Sequence, residues 1–305
     1  MLQMHQIPTI KKAEAWLLAS VLALAAFAVF GPHLAQHAHQ HDFADRRVWA
    51  GLPFAMDVLS NLPFALWGAA GLLALGKARQ WLGKGNSLRI QALLAALFFI
   101  GLVITAAASS WYHLQPQNAG LVIDRLGMTV AFAGLLGLAA AGRISGRAGV
   151  VLAATVLLMG PLSLQTWLVS GSILPWAVLQ FGGMAMVVGL AWRKPLPQAL
   201  PVSWLAVIAL YAVAKLLELA DHQVFELTNQ FVSGHSLKHV VASFAAWPVL
   251  AAVVQHGALG AAVCNGHQSQ QQVRQTRQLR SKSGSDLPVH PQPAPQLFAQ
   301  KPHRS

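Results

Sequence analysis

Three histidines in this chain stand where a metal ion could use them. His235 and His239 are four residues apart, so they share one helical face, and His113 closes a different apolar run. Ser109 lies four residues before His113 and Asp124 eleven after it. In hydrocarbon an ionisable or metal-binding side chain is expensive, and by default it marks a functional site. Three neutral imidazoles with one open position make the usual catalytic zinc site, in which the ion polarises its surroundings and lowers the pKa of water to about 7. Asp124 beside such a site could serve as general base, and the Ser109 hydroxyl could donate to a developing oxyanion. Asp57 and Asn61, again four apart, either hydrogen-bond a ligand histidine from behind or cap a helix N-terminus. Any one of these motifs arises easily by chance. Their weight comes from meeting at one depth.

That depth follows from the elements that carry them. Of 305 residues 55% are hydrophobic and only 10% charged, and the mean hydropathy is +0.50. A soluble domain carries about 25% charged residues, whereas apolar runs of about 20 residues match a membrane helix. The expectation is an all-α polytopic membrane bundle with spans at about 13–31, 55–76, 88–112, 120–141, 148–168, 172–192, 203–220 and 235–262. The net charge of +12 sits in loops and tail, so it reads as topology and not as a nucleic-acid surface. Lys77, Arg79, Lys84, Arg89, Arg143, Arg147, Arg193 and Lys194 fill the even loops, and Arg46 and Arg47 are the only Lys or Arg residues of the odd ones. The positive-inside rule then places both termini in the cytoplasm. In that orientation Asp57, Asn61, Ser109, His113, Asp124, His235 and His239 all fall at the outer end, while the inner halves of the same helices are aliphatic. A single cysteine, Cys264, leaves no internal disulfide or Cys-rich zinc site. The first apolar run has no clear cleavage site and reads as a retained span.

Four segments, DVLSN (57–61), SSWYH (109–113), DRLGMT (124–129) and SGHSLKH (233–239), together resemble the alkaline ceramidase family. That family belongs to a seven-helix membrane hydrolase superfamily that also includes the progestin/adiponectin receptors. Its pattern is an acid and an Asn four residues apart, SxxxH, an Asp opening the third core helix, and HxxxH in the seventh. By position Asp57 and Asn61, Ser109 and His113, Asp124, and His235 and His239 fill it, over roughly residues 42–262. The resemblance implies a zinc amidase that splits the N-acyl bond of ceramide, with the histidines holding zinc and Asp124 and Ser109 assisting the water. The span at 13–31 is extra to that core. Eukaryotic members carry an acidic calcium-binding segment before it, which here reads HLAQHAHQHDFADRRVWAG with Asp42 and Asp45 its only acids.

The expected organisation is therefore a tail and extra helix over 1–32, an outer His-rich loop over 33–54, a seven-helix core over 55–263, and a disordered basic cytoplasmic tail over 264–305. His33, His37, His39 and His41 could collect zinc, but the favoured reading is an unstructured polar loop. Lys215 and Glu218 are expected to neutralise one another, and Arg125 to anchor a helix end. The short loops suggest a bacterial inner membrane with the site on the periplasmic side. Two other functions fit less of the pattern. A seven-helix lipid receptor could keep the zinc as a structural ion. A zinc transporter would need polar groups across the whole membrane; the inner halves offer few, although Pro161 and Gln165 interrupt the fifth span.

Overall fold

The computed structural model of the protein describes residues 11–82, 85–258 and 271. Among them the long elements are all helices, and pairing between extended segments is limited to the isolated bridges Ala35–Ser172 and Trp49–Leu52. Helix α1 (Lys12–Phe30) is followed by α2 (Ala55–Leu59) and α3 (Leu62–Leu82), then α4 (Asn86–Leu114), α5 (Asn118–Arg143) and α6 (Gly146–Ser170). Helix α7 (Leu174–Ala177) continues through a π-helical turn (Val178–Gly182) into α8 (Gly183–Ala191). After α9 (Trp204–Leu219) and α10 (Asp221–Leu227), α11 (Gly234–Phe244) opens a last helical stretch that runs to Ala258.

The chain is an all-α polytopic membrane bundle, and among the described residues seven helical stretches are long and apolar enough to cross a bilayer. Each expected span has its helix. The one exception in length is 203–220, where α9 has 16 residues, about 24 Å against a hydrocarbon core of about 30 Å. Leu93, Leu158, Leu205 and Leu216 point outward from the bundle, an apolar surface that only lipid would cover. Helix α1 buries only Leu17 and lies at the periphery. At the centre α4 and α5 touch backbone to backbone: a Cβ on Gly101 would lie 2.2 Å from the Ala131 nitrogen, and one on Gly134 2.2 Å from the Phe98 nitrogen. Small residues permit that approach, and dispersion then holds the pair together where no hydrophobic force between helices exists.

Two prolines shape the helices that carry the site. Pro63 has no N–H for the Leu59 carbonyl, so the second span breaks between Leu59 and Leu62. The Asp57 carbonyl is taken up instead by Ser60 Oγ and Asn61 Nδ2, each at 2.9 Å. Pro248 does the same to the last span, where Ala245 and Ala246 turn back to Ala242 and Ser243 with i to i−3 bonds of 3.1 Å. By contrast the interruption expected at Pro161 and Gln165 is absent, and α6 runs through both as one helix.

The outer loop departs most from expectation. It is not an unstructured segment: Phe43 and Asp45 are buried, and the Ala44 N–H donates to Asp221 Oδ2 at 3.0 Å. Arg47 bonds Asp45 and the Phe231 carbonyl, and the carboxylate holds its guanidinium charged beyond its usual range. The chain divides into units 1–260 and 261–305, and the tail expected over 264–305 lies outside the described residues apart from residue 271.

Candidate metal centre

The start of α11 is built to hold a histidine close to α9. Ser233 caps it, accepting the Ser236 N–H at 3.0 Å, and Asp221 Oδ1 accepts the His235 N–H at 2.7 Å. These two side chains satisfy donors that a helix N-terminus otherwise leaves free. Between them only glycine fits, because a Cβ on Gly234 would lie 2.3 Å from the Leu217 carbonyl oxygen. His235 and His239 then stack one turn apart, and His113 meets them from the last turn of α4.

The three rings close on one point. Their centroids are 4.7–5.1 Å apart and their planes cross at 70–86°. One nitrogen of each lies within 4.8 Å of the others, and His113 Nε2 is 3.3 Å from His235 Nε2. Two donors 2.1 Å from a tetrahedral ion stand ~3.4 Å apart, so this pair already has the spacing of one coordination edge.

Hydrogen bonding sets which nitrogens are free. Ser60 Oγ donates to the Asp57 carbonyl, which can only accept, so it must accept from His239 Nδ1 at 2.8 Å. His239 Nε2 is thereby left unprotonated and available to a metal. The Lys238 ammonium, a pure donor, lies 3.1 Å from His235 Nε2 and 3.1 Å from Glu218 Oε1, so that nitrogen is unprotonated too, and a metal would take its one lone pair in place of the ammonium. His113 is 1% exposed and its Nδ1 has no partner. Three ring nitrogens brought this close can all be satisfied by one cation between them. The donor set fits a metal ion.

Ser60 is the one hydroxyl that orients a ligand ring, and it follows from the Pro63 break. Such outer partners are worth about 10–100-fold in metal affinity. Ser60→Ala is expected to weaken metal binding by that factor, read by chelator competition on the purified protein. Unchanged affinity would mean that packing alone orients His239.

Asp57 and Asn61 do neither of the two things expected of them. Asp57 is fully buried, and its Oδ1 accepts from Ser236 Oγ at 2.6 Å and from Ser233 Oγ at 3.5 Å, tying α2 to the start of α11. Asn61 folds back on the Asp57 carbonyl. Neither side chain bonds a histidine or a free helix N–H. The carboxylate supports the segment that presents His235, one step further from the metal than a ligand partner.

Ser109 and Asp124 line a cavity of about 860 Å³ together with His235 and His239, while His113 sits behind its wall. Ser109 and Asp124, on neighbouring helices, face the same cavity. From this polar end the cavity runs inward past Leu102, Phe132, Met184 and Val207. Its deepest residues, Phe98, Leu135 and Ala245, lie ten or eleven positions from Ser109, Asp124 and His235, about 16 Å along each helix. It is a narrow apolar channel with its chemistry at one end.

Several residues here escaped the sequence reading. Phe43 from the outer loop lies edge-on against His113 and His235, with centroids at 4.7 and 4.5 Å, and closes the centre from above. Its only sequence signal was an aromatic among histidines. Lys238, inside the HxxxH pair, joins Lys215 on Glu218 and so extends the expected two-residue pair to three. The loop histidines remain outside the triad: His41 bonds the Tyr112 hydroxyl and Asn118 at 2.8 and 2.9 Å, and His33 the Ser170 carbonyl. Arg125 is no interfacial anchor. It is 6% exposed and lies between the rings of Trp167 and Trp176.

Compared with known proteins, the chain matches neither a family model nor a curated relative.

Proposed function

We propose that the protein is a zinc-dependent membrane hydrolase that cleaves the N-acyl amide bond of ceramide or a related lipid, as its motifs' resemblance to alkaline ceramidases implies. The observation that carries this reading is the buried triad His113, His235 and His239 at the polar end of an apolar channel, with Asp124 and Ser109 beside it. An all-imidazole donor set suits zinc among the available metals, and zinc held by three histidines supplies a Lewis acid and water of lowered pKa. The lipid's acyl chain lies along Leu102, Phe132 and Met184, out of water, which brings its amide to the histidines.

Asp124 then takes the proton from the attacking water and returns it to the departing nitrogen, so that water adds across the C–N bond and a fatty acid and an amine leave. Ser109, facing the same cavity as Asp124, steadies its carboxylate and offers a donor for charge developing on the amide oxygen. Phe43 keeps bulk water from the histidines. The distribution of Lys and Arg between the loops supports a site facing away from the cytoplasm, with both termini inside, as in a bacterial inner membrane.

The deciding experiment combines metal analysis with lipid turnover. Purified protein is expected to carry about one zinc per chain and to release fatty acid from N-acyl lipids. Chelation should stop release and added zinc restore it. Equal turnover by metal-free protein would sink the zinc mechanism. Tight lipid binding without any release over hours would favour the receptor reading.

A further inference from the structure

Of the charged groups that line the channel and have no use in the mechanism above, Arg125 is the one at the Trp167–Trp176 wall, and it has no ion-pair partner among the described residues. It lies in the second turn of α5, inside a membrane-spanning helix, and is 6% exposed. Its guanidinium lies 4.9 Å from the centroid of the Trp167 ring and 5.4 Å from that of Trp176, on α6 and α7, and both rings are buried. So clamped, it cannot snorkel to the interface as a lone arginine at a helix end would. Among the described residues no carboxylate oxygen comes within 4.0 Å of it, and its Nη1 is buried without any hydrogen-bond partner. Asp124, its neighbour in sequence, makes no ion pair with it. Glu218, the other carboxylate of this end, is shared by Lys215 and Lys238. Arg125 nevertheless lines the same channel as Asp124, His235 and His239.

A guanidinium held flat, dry and unpaired in a membrane helix is costly unless an anion completes it. Its planar edge matches the oxygens of a carboxylate or phosphate. We propose that Arg125 is a specificity-determining residue that binds an oxyanion on the lipid, so that the natural ligand is an N-acyl lipid with a carboxylate or phosphate on its amine portion. This inference rests on the channel being the lipid site. It goes beyond the ceramide reading, because ceramide carries no such charge. Trp176 lines the channel beside Arg125, the metal end takes the amide, and Arg125 reads the head.

The test compares three probes with one acyl chain on the full-length protein in detergent: N-palmitoylglycine, N-palmitoylethanolamine phosphate and uncharged N-palmitoylethanolamine. A hydrogen bond to a charged group is worth about 1.5–3 kcal/mol, which corresponds to ~10–100-fold in affinity. At least one anionic probe is expected to bind about tenfold or more tighter than the neutral one by calorimetry, and which of them does so tells a carboxylate head from a phosphate head. Arg125→Gln should bring all three affinities together. Arg125→Lys keeps the charge but loses the flat edge, and should fall between. Equal affinities in the wild type overturn the proposal even if no variant folds, and a preference that survives Arg125→Gln overturns the assignment to this residue. Binding is measured without turnover. Hydrolysis of the neutral probe therefore tests the amidase reading separately, and either can fail alone.

Discussion

His239→Ala is expected to strip the protein of its metal and of its hydrolysis in one step. The ring is buried, its Nδ1 is held by Ser60, and its plane crosses those of His113 and His235 at 70° and 86°. Removing it leaves two imidazoles on different helices, too few to hold zinc against water and chelators. Metal content should fall from about one ion per chain to nearly none. A metal's contribution to stabilising transition-state charge is several kcal/mol, and at about 1.36 kcal/mol per decade the rate should drop by ~10³-fold or more. A second measurement separates loss of metal from loss of fold. A ligand that binds only the native state stabilises it by mass action, so zinc should raise the melting temperature of the wild type and leave that of the variant unmoved. A variant that keeps its zinc would show that the ion, if present, is held elsewhere.

The histidines were legible because their signal does not depend on long-range packing. HxxxH places two rings on one face whatever the helix touches, and a polar residue inside an apolar run announces its own depth. The bundle was legible for the same reason, since about 20 apolar residues have few other places to go. What the reading missed lies where helices break. Pro63 and Pro248 were visible as letters, yet an apolar run is read by its average, and the average hides a two-residue interruption. Ser60 sits in that interruption, and only the geometry of the break turns its hydroxyl on to His239. Asp57 illustrates the converse. Its spacing from Asn61 placed both at the start of the second span, but the helix ends at Leu59 and its partners Ser233 and Ser236 come from the start of α11, about 180 residues away, where no local pattern could name them. Phe43 and Asp45 were lost in a loop judged by composition, because histidine and glutamine in number look like solvated chain.

Asp124→Asn is expected to do what the histidine substitution does not: abolish turnover and leave the metal in place. The carboxylate is no member of the histidine cluster, yet it opens into the same channel as Ser109, one turn before His113. The amide keeps the shape, but it cannot take a proton from water at any working pH. Loss of a general base costs typically 10²–10⁴-fold, so kcat should fall within about that range. Zinc content should stay near one per chain, and lipid affinity should change little, since the acyl channel of Leu102, Phe132 and Met184 is untouched. Ser109→Ala provides the graded companion. It removes one donor beside Asp124, so its loss should be smaller than that of Asp124→Asn, and the two together should cost no more than Asp124→Asn alone if Ser109 acts only through the carboxylate. An Asp124→Asn protein that hydrolyses lipid at the wild-type rate would leave the zinc site standing and remove its base.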